Sequence, residues 1–326
     1  MLNIEVKTMN VKSEIIKILE KNRNTVISGQ DLANQLNVSR MSVCKAIKAL
    51  KEDGYELISI PNKGYKLLNE SDVLSKEAIS CYLNKKINIY TYKTVDSTNN
   101  ETKKIAVDNK KEDALIVSEH QSAGRGRYGR NFYSPAKQGI YMSLLLHCHK
   151  SFNDATLITI QSAVAIWRVI KRLYQIDTKI KWVNDLYYHG KKICGILTEG
   201  ISDFESQTME AVIIGIGINI STSEFPEELL NKAASLNLKN INRNELIANI
   251  VNEILIVIEE DFNKILNEYK NASCVINKEI EFIYKGQIKQ GHVIDINETG
   301  NLIVQTTNQK LTLNAGDIKI IGANYE

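Results

Sequence analysis

Hydrophobic periodicity changes twice along this chain, and those changes constrain the fold more than any single motif does. To about Leu68 the apolar residues fall mostly at helical spacing. From about 75 to 270, short runs of strand type interleave with amphipathic helical stretches. From about 275 to 322 only strand-like runs remain, with turn residues between them. Such a pattern builds a helical module, then an α/β module on one mixed sheet, then a small β-only module that closes into a barrel. The expected boundaries are 1–70, 75–270 and 275–326. At 326 residues and 43% hydrophobic content the chain can bury a real core.

In the first module, SGQDLANQLNVSRMSVCKAIKALKEDG reads as helix, short turn, helix. Leu32, Ala33 and Leu36 form an inward stripe, Asn37-Val38-Ser39 make the turn, and Ser39 caps a second helix that ends near Gly54. On that second helix Val43, Ile47 and Leu50 share one side. Met41, Lys45 and Lys48 share the other, with Arg40 at the N-terminus. A strand pair follows around PNKG, with Lys63 at its tip. This is a winged helix-turn-helix pattern, and its candidate DNA-facing residues are Arg40, Met41, Ser42, Lys45, Lys48 and Lys63. The charge agrees. The chain holds 41 Lys/Arg against 38 Asp/Glu, and residues 1–70 hold 11 against 8, so the whole excess lies there.

Five scattered cysteines, odd in number and never spaced as CxxC, argue against a disulfide framework or zinc site and for a reducing compartment. The N-terminal stretch has early acidic residues and no long apolar run, which excludes a signal peptide. No stretch approaches the ~20 apolar residues of a membrane span. The expectation is a cytoplasmic protein with no membrane partner.

GRGRYGR, residues 124–130, sets three glycines among three arginines. It could be a nucleic-acid patch, a phosphate cradle or a flap over a charged small molecule. A Walker A loop is absent from the chain. A dinucleotide fingerprint would open a helix, whereas this stretch runs into Ser134-Pro135 and a strand. What remains is flexible backbone carrying Arg125, Arg127 and Arg130, suited to a carboxylate or phosphate. Three further stretches accompany it: DSTNNE at a strand-to-helix junction, KWVNDLYYHGKKICGILTEG, and GIGINI, where missing side chains expose backbone.

DSTN, QSAGRGRYGR, KWVND, KKICGILTE and GIGIN, in that order, resemble the bacterial biotin–protein ligases. With the N-terminal winged helix, the chain resembles the bifunctional class that also represses biotin genes. The resemblance spans essentially the whole chain. It implies a class II aminoacyl-tRNA-synthetase-like central domain, a C-terminal Src-homology-3-like barrel, and a two-step reaction. Biotin's carboxylate attacks the α-phosphate of ATP, and a lysine of a biotin carboxyl carrier domain then attacks the biotinyl-5′-adenylate. Magnesium would accompany ATP, with no tightly bound cofactor. The partners implied are biotin, ATP, the carrier domain, operator DNA and a second copy of the chain when the adenylate is bound.

The resemblance also implies roles. Ser97, Thr98, Asn99 and Gln121 match positions that bind biotin's ureido ring. Arg125, Gly126 and Arg127 match the loop that orders over biotin and its adenylate. Lys192 matches the biotin-contacting catalytic lysine, seven residues after Asp185; Arg127 and Asp185 join it as catalytic candidates. Gly215 and Gly217 match backbone contacts to biotin. Arg130, Phe132 and Asn219 match nucleotide positions, Asn219 also a magnesium position. Three departures stand out: Phe132 where a tryptophan is common, Val183 where proline is usual, and Tyr128 in place of a second arginine or phenylalanine, leaving both ligand-facing arginines in place. Two other functions fit the same motifs: a biotin-sensing repressor with weakened catalysis, or a ligase whose winged helix no longer binds DNA.

Overall fold

The structure is a computed structural model that describes residues 10–108, 112–150, 154–202 and 209–322. Residues 1–9, on which part of the signal-peptide argument rests, lie outside that set, as do 323–326 of the expected C-terminal module. The described residues divide into two compact units. One comprises residues 10–84 with 239–248, the other the described residues of 85–238 and 249–322.

In the first unit, α1 (Val11–Lys21), α2 (Gly29–Leu36) and α3 (Arg40–Glu52) precede the hairpin β1 (Leu57–Ile60) and β2 (Gly64–Leu67). Each helix start is fixed by a side chain. Asn10, Ser28 and Ser39 accept from the backbone N–H three residues on. Asn37 ends α2 in the left-handed region at φ 50°, which turns the chain into α3. Val43, Ala46, Ile47 and Leu50 of α3 join Ile15, Leu19, Leu32 and Leu67 in one core. Arg40, Met41, Lys45, Lys48 and Lys63 are exposed, and Lys48 lies 3.9 Å from Glu52. Ser42 is half-buried, its hydroxyl 3.0 Å from the capping Ser39. A short α4 (Lys76–Ser80) and residues 239–248 complete the unit. There Arg243, 1% exposed, donates to Asp72, and Asn244 donates to the Val73 carbonyl at 2.9 Å.

The second unit is built on a seven-stranded sheet. Its strands are β3 (Asn88–Tyr92), β4 (Ala114–Ser118), β5 (Gly139–Lys150), β6 (Lys179–Lys181), β7 (Asp185–Tyr188), β8 (Lys191–Ser202) and β9 (Met209–Asn219). They lie in the order β3-β4-β5-β9-β8-β7-β6, with β3 and β4 parallel and the other pairs antiparallel, a mixed sheet as expected. All five residues of β4 are buried, as are all of β9 save Glu210. Helix α5 (Thr98–Asp108) packs on β4, β5 and β9, and α6 (Asp154–Tyr174) on β8.

Two stretches of unbroken periodicity, KIKWVNDLYY and NRNELIANIVNEILIVIEEDFNKIL, each fold as two elements. KIKWVNDLYY is a hairpin, not one strand, because Trp182, Val183 and Asn184 turn the chain between β6 and β7. The Trp182–Val183 peptide is cis. The long C-terminal helical run is α7 (Arg243–Val257) and α8 (Phe262–Ala272). Asp261 caps α8 by accepting from Asn263 N–H. Arg168 of α6 ties the break together, reaching Glu253 of α7, Glu260 of the connection and Glu268 of α8 at 3.2, 2.7 and 2.7 Å. Hydrogen bonds from Arg168 and then Lys264 hold the pKa of the Glu260 carboxyl down to about 2.

The C-terminal module consists of β10 (Glu279–Tyr284), β11 (Gln287–Ile296), β12 (Leu302–Gln305), β13 (Lys310–Leu313) and β14 (Ile318–Ile320). They form one antiparallel sheet in the order β13-β12-β11-β10-β14, with a bulge in β11 between Val293 and Asp295. No ladder joins β13 to β14 among the described residues, so the expected barrel is open along that seam.

Candidate active site

The registers of four ladders place Tyr141, Gly217, Gly195, Asp185 and Lys181 in one row across the central sheet. Directly opposed residues point to one face, so this row is the floor of a site. Two neighbouring glycines clear its middle. A Cβ on Gly217 would lie 2.5 Å from the Phe132 ring, so Phe132 rests where a side chain is missing. A Cβ on Gly215 would lie 2.1 Å from Asn99 Oδ1, so Asn99 fills that gap.

Above the floor is a cavity of about 1050 Å³. Every residue expected to touch biotin or nucleotide lines it: Ser97, Thr98, Asn99, Gln121, Arg125, Gly126, Arg127, Arg130, Phe132, Asp185, Lys192, Gly215, Gly217 and Asn219. One wall is polar and pre-ordered. Gln121 Oε1 accepts from Thr98 N–H at 2.9 Å, and Gln121 Nε2 donates to Ser134 at 2.9 Å. Ser143 donates to Asn99 Oδ1 at 2.6 Å and its oxygen lies 2.8 Å from Thr98 Oγ1, while Asn99 Nδ2 donates to Glu199 at 2.7 Å. Burial raises the Glu199 carboxyl's pKa, but bonds from Lys103 and Asn99 outweigh it and leave it below the usual range. The Ser97 hydroxyl has no protein partner among the described residues and stays available to a ligand.

The cationic side owes its geometry to a bulge. Lys192 precedes Gly195 by three residues, so strict alternation would send it to the far face. A register shift between β7 and β8 brings it back, with Nζ 2.7 Å from Asp185 Oδ1.

The glycine-rich stretch is a closed loop. Phe132 N–H donates to the Gly124 carbonyl and Gly126 N–H to the Arg130 carbonyl, at 2.9 and 2.7 Å. Tyr128 and Gly129 take positive φ of 55° and 72° at its tip. Its three arginines differ. Arg127 donates to Asn184 Oδ1 at 3.2 Å and Arg130 pairs with Asp317 just before β14, whereas the Arg125 guanidinium makes no hydrogen bond or ion pair among the described residues and acts on Glu199 only through its charge. Tyr128 does more than leave the arginines in place: its hydroxyl accepts from Arg127 at 3.3 Å, and its ring lies under the guanidinium at 5.2 Å.

Three further lining groups have no role assigned from the sequence. Phe225 packs 6.2 Å from Tyr133 over the cavity, and Asn184 orients Arg127. Trp182 also lines it, but is 4% exposed and donates to the Gly300 carbonyl at 2.9 Å. Asn184 and Phe225 stand in KWVND and FPEEL, stretches the sequence marks out without giving either residue a role.

The model of the biotin/lipoate A/B protein ligase family matches residues 91–219, the stretch that holds the floor, the polar wall and the loop. An HTH-domain model matches 11–66 and a biotin protein ligase C-terminal domain model matches 275–320. The bifunctional ligase/repressor BirA of Bacillus subtilis is 33% identical over 260 residues, 77% of this chain and 78% of its own. The chain belongs to the biotin protein ligase family. The bifunctional ligase/repressor BirA of Escherichia coli is 28% identical, over 85% of this chain and 88% of its own. The fold is that of the Aquifex aeolicus biotin protein ligase solved with biotin and ATP, with a TM-score of 0.62 at 24% identity over 72% of this chain and 98% of that one. This ligase fold therefore carries an N-terminal helix-turn-helix module. No helix among the described residues is long and apolar enough to cross a membrane.

Proposed function

We propose that the chain activates biotin with ATP, transfers it to a lysine of a biotin carboxyl carrier domain, and represses biotin genes through its N-terminal unit. One observation carries the catalytic reading: a neutral polar wall and a cationic cluster face each other across a glycine floor. That suits a ligand polar and uncharged at one end and anionic at the other. The wall of Ser97, Thr98, Asn99 and Gln121 takes the ureido ring. Lys192, held by Asp185, takes the carboxylate, and Arg125 and Arg127 close over the acyl-phosphate junction. Phe132 and Phe225 offer faces to the base, with Arg130 beside the phosphates.

A carboxylate oxygen bonds to the α-phosphorus and pyrophosphate leaves. The acceptor amine then attacks the acyl carbon, AMP leaves with the electrons of the broken acyl–oxygen bond, and the nitrogen gives up a proton to solvent. The protein supplies alignment and positive charge rather than a nucleophile. Asn219 Oδ1 is buried without a partner, its Nδ2 donating to the Ala234 carbonyl at 3.0 Å. An orphaned amide oxygen suits a hard cation, and Asn219 Oδ1 would be the protein group to hold Mg²⁺. When bound, that ion neutralises charge on the phosphates.

Mixing protein, biotin, MgATP and a carrier domain should add one biotinyl group, the mass of biotin less water, to the carrier; no gain, with biotin bound, would refute the ligase reading. Gly215→Ala tests the wall. Its Cβ evicts Asn99, and calorimetry should show biotin affinity lower by about tenfold or more.

For repression, the exposed Arg40, Met41, Lys45 and Lys48 of α3 and Lys63 of the wing meet operator DNA, with Ser42 at the helix start. A homodimer loaded with adenylate would present two such helices to half-sites about 34 Å, or a multiple of it, apart. An electrophoretic shift of upstream DNA that requires biotin and ATP is the expected result. Replacing Lys45 and Lys48 with alanine should weaken that shift across all sequences and lower the salt slope by about 1–2.

A further inference from the structure

Lys181 lines the same cavity and has no task in the reaction above. It ends β6, and the residue is 8% exposed. Its ammonium lies 3.3 Å from the Tyr187 hydroxyl and 5.1 Å from that ring's centroid. No carboxylate ion-pairs with it among the described residues, whereas Lys192 has Asp185 at 2.7 Å. Burial is the main reason its pKa falls below the ordinary lysine value. Asp185, Cys274 and Asp317 oppose that fall, and Lys192 adds to it. A desolvated ammonium with one weak neutral partner is costly by itself. It is accounted for if an anion arrives beside it.

The register says which anion. Lys181 stands at the end of the row Tyr141, Gly217, Gly195, Asp185, Lys181. At about 4.8 Å per strand, it lies on the order of 14 Å along the floor from Gly217. The polar wall sits at the Gly215 and Gly217 end, and the Lys192–Asp185 pair lies between. A ligand whose ring meets Asn99 and whose carboxylate meets Lys192 brings the α-phosphate to the middle of the row. What projects past Asp185 is the rest of the triphosphate.

We propose that Lys181 is a catalytic residue for the first half-reaction only, the counter-cation of the departing pyrophosphate. A biotin carboxylate oxygen forms its bond to the α-phosphorus while the bond from that phosphorus to the α,β-bridging oxygen breaks. The electron pair stays on pyrophosphate, which gains negative charge beside the ammonium, and no proton need move. In the second half-reaction AMP is the leaving group and pyrophosphate is gone, so Lys181 has nothing to stabilise. The inference rests on the ligase reading.

The test separates the two half-reactions in the full-length protein. Lys181→Met should slow biotin-dependent pyrophosphate release by about 100-fold. It should leave biotin binding and transfer from synthetic biotinyl-adenylate to a carrier domain within twofold. Lys181→Arg, which keeps the charge, should recover at least a tenth of the parent's release rate. K181M should melt no lower than the parent, because methionine replaces a buried charge. Parallel loss of transfer, an unchanged release rate, or a K181R as slow as K181M would each overturn the proposal. The parent is the control: no biotin-dependent pyrophosphate from it refutes the ligase reading, and this inference with it. A normal parent with unimpaired K181M refutes this inference alone.

Discussion

Lys192→Met is expected to slow adenylate formation severely while leaving a folded protein that still binds biotin. The ammonium is aimed by two local features: the bulge that returns it to the site face, and Asp185 at 2.7 Å. Its stem runs over Gly195, where a Cβ would sit 3.0 Å from the lysine ε-carbon, so the side chain is confined as well as paired. Removing a positioned charge of this kind from a phosphoryl-transfer site costs about 10²–10³ in rate. Biotin would lose its charge-assisted bond and keep the polar wall, so its affinity should fall by about 10–100-fold rather than vanish. Lys192→Arg should recover little, since a planar fork cannot follow the same stem to the same point. Pyrophosphate release and calorimetric biotin binding, on the same preparations, check both halves. A K192M protein that adenylates at the parent's rate would remove Lys192 from the reaction.

The motifs that bring the site together were readable because each is short and local. DSTN, the glycine-rich loop, KWVND and GIGIN each place two or three groups on one turn or strand edge, and their order follows the chain. Relations between strands were not readable. Nothing in KWVND shows a hairpin, for the turn at 182–184 has neither glycine nor proline, and periodicity across it resembles one long strand. The break at 258–261 is likewise unpunctuated; it is held by Arg168, which binds carboxylates 85 to 100 residues away in sequence. The glycines of β9 suggested exposed backbone, and the side chains over them, Asn99 and Phe132, come from other segments. Lys181 could be seen beside a tryptophan in the sequence, but only the register puts it in line with Asp185 and the glycines.

Arg127→Gly is expected to turn a retentive enzyme into a leaky one. Arg127 is held from both sides, donating to Asn184 across the cavity and to Tyr128 within its own loop, so its guanidinium is the loop's point of attachment over the junction. Glycine removes that attachment and the charge that would face the acyl-phosphate, and it loosens a tip already at positive φ. Loss of one charge-assisted contact corresponds to about 1.5–3 kcal/mol, or about 10–100-fold faster escape of the adenylate. Lys192, Asp185 and the polar wall are untouched, so formation of the intermediate should fall far less than its retention. Bystander proteins would then acquire biotin on exposed lysines without a carrier domain present. Arg130 offers a second anchor through Asp317, and that exposed pair is worth little, so it should not hold the loop by itself. Stopped-flow dissociation of biotinyl-adenylate, with labelling of a lysine-rich bystander, measures both effects. An R127G protein that keeps the adenylate as long as the parent would show that the loop is no lid.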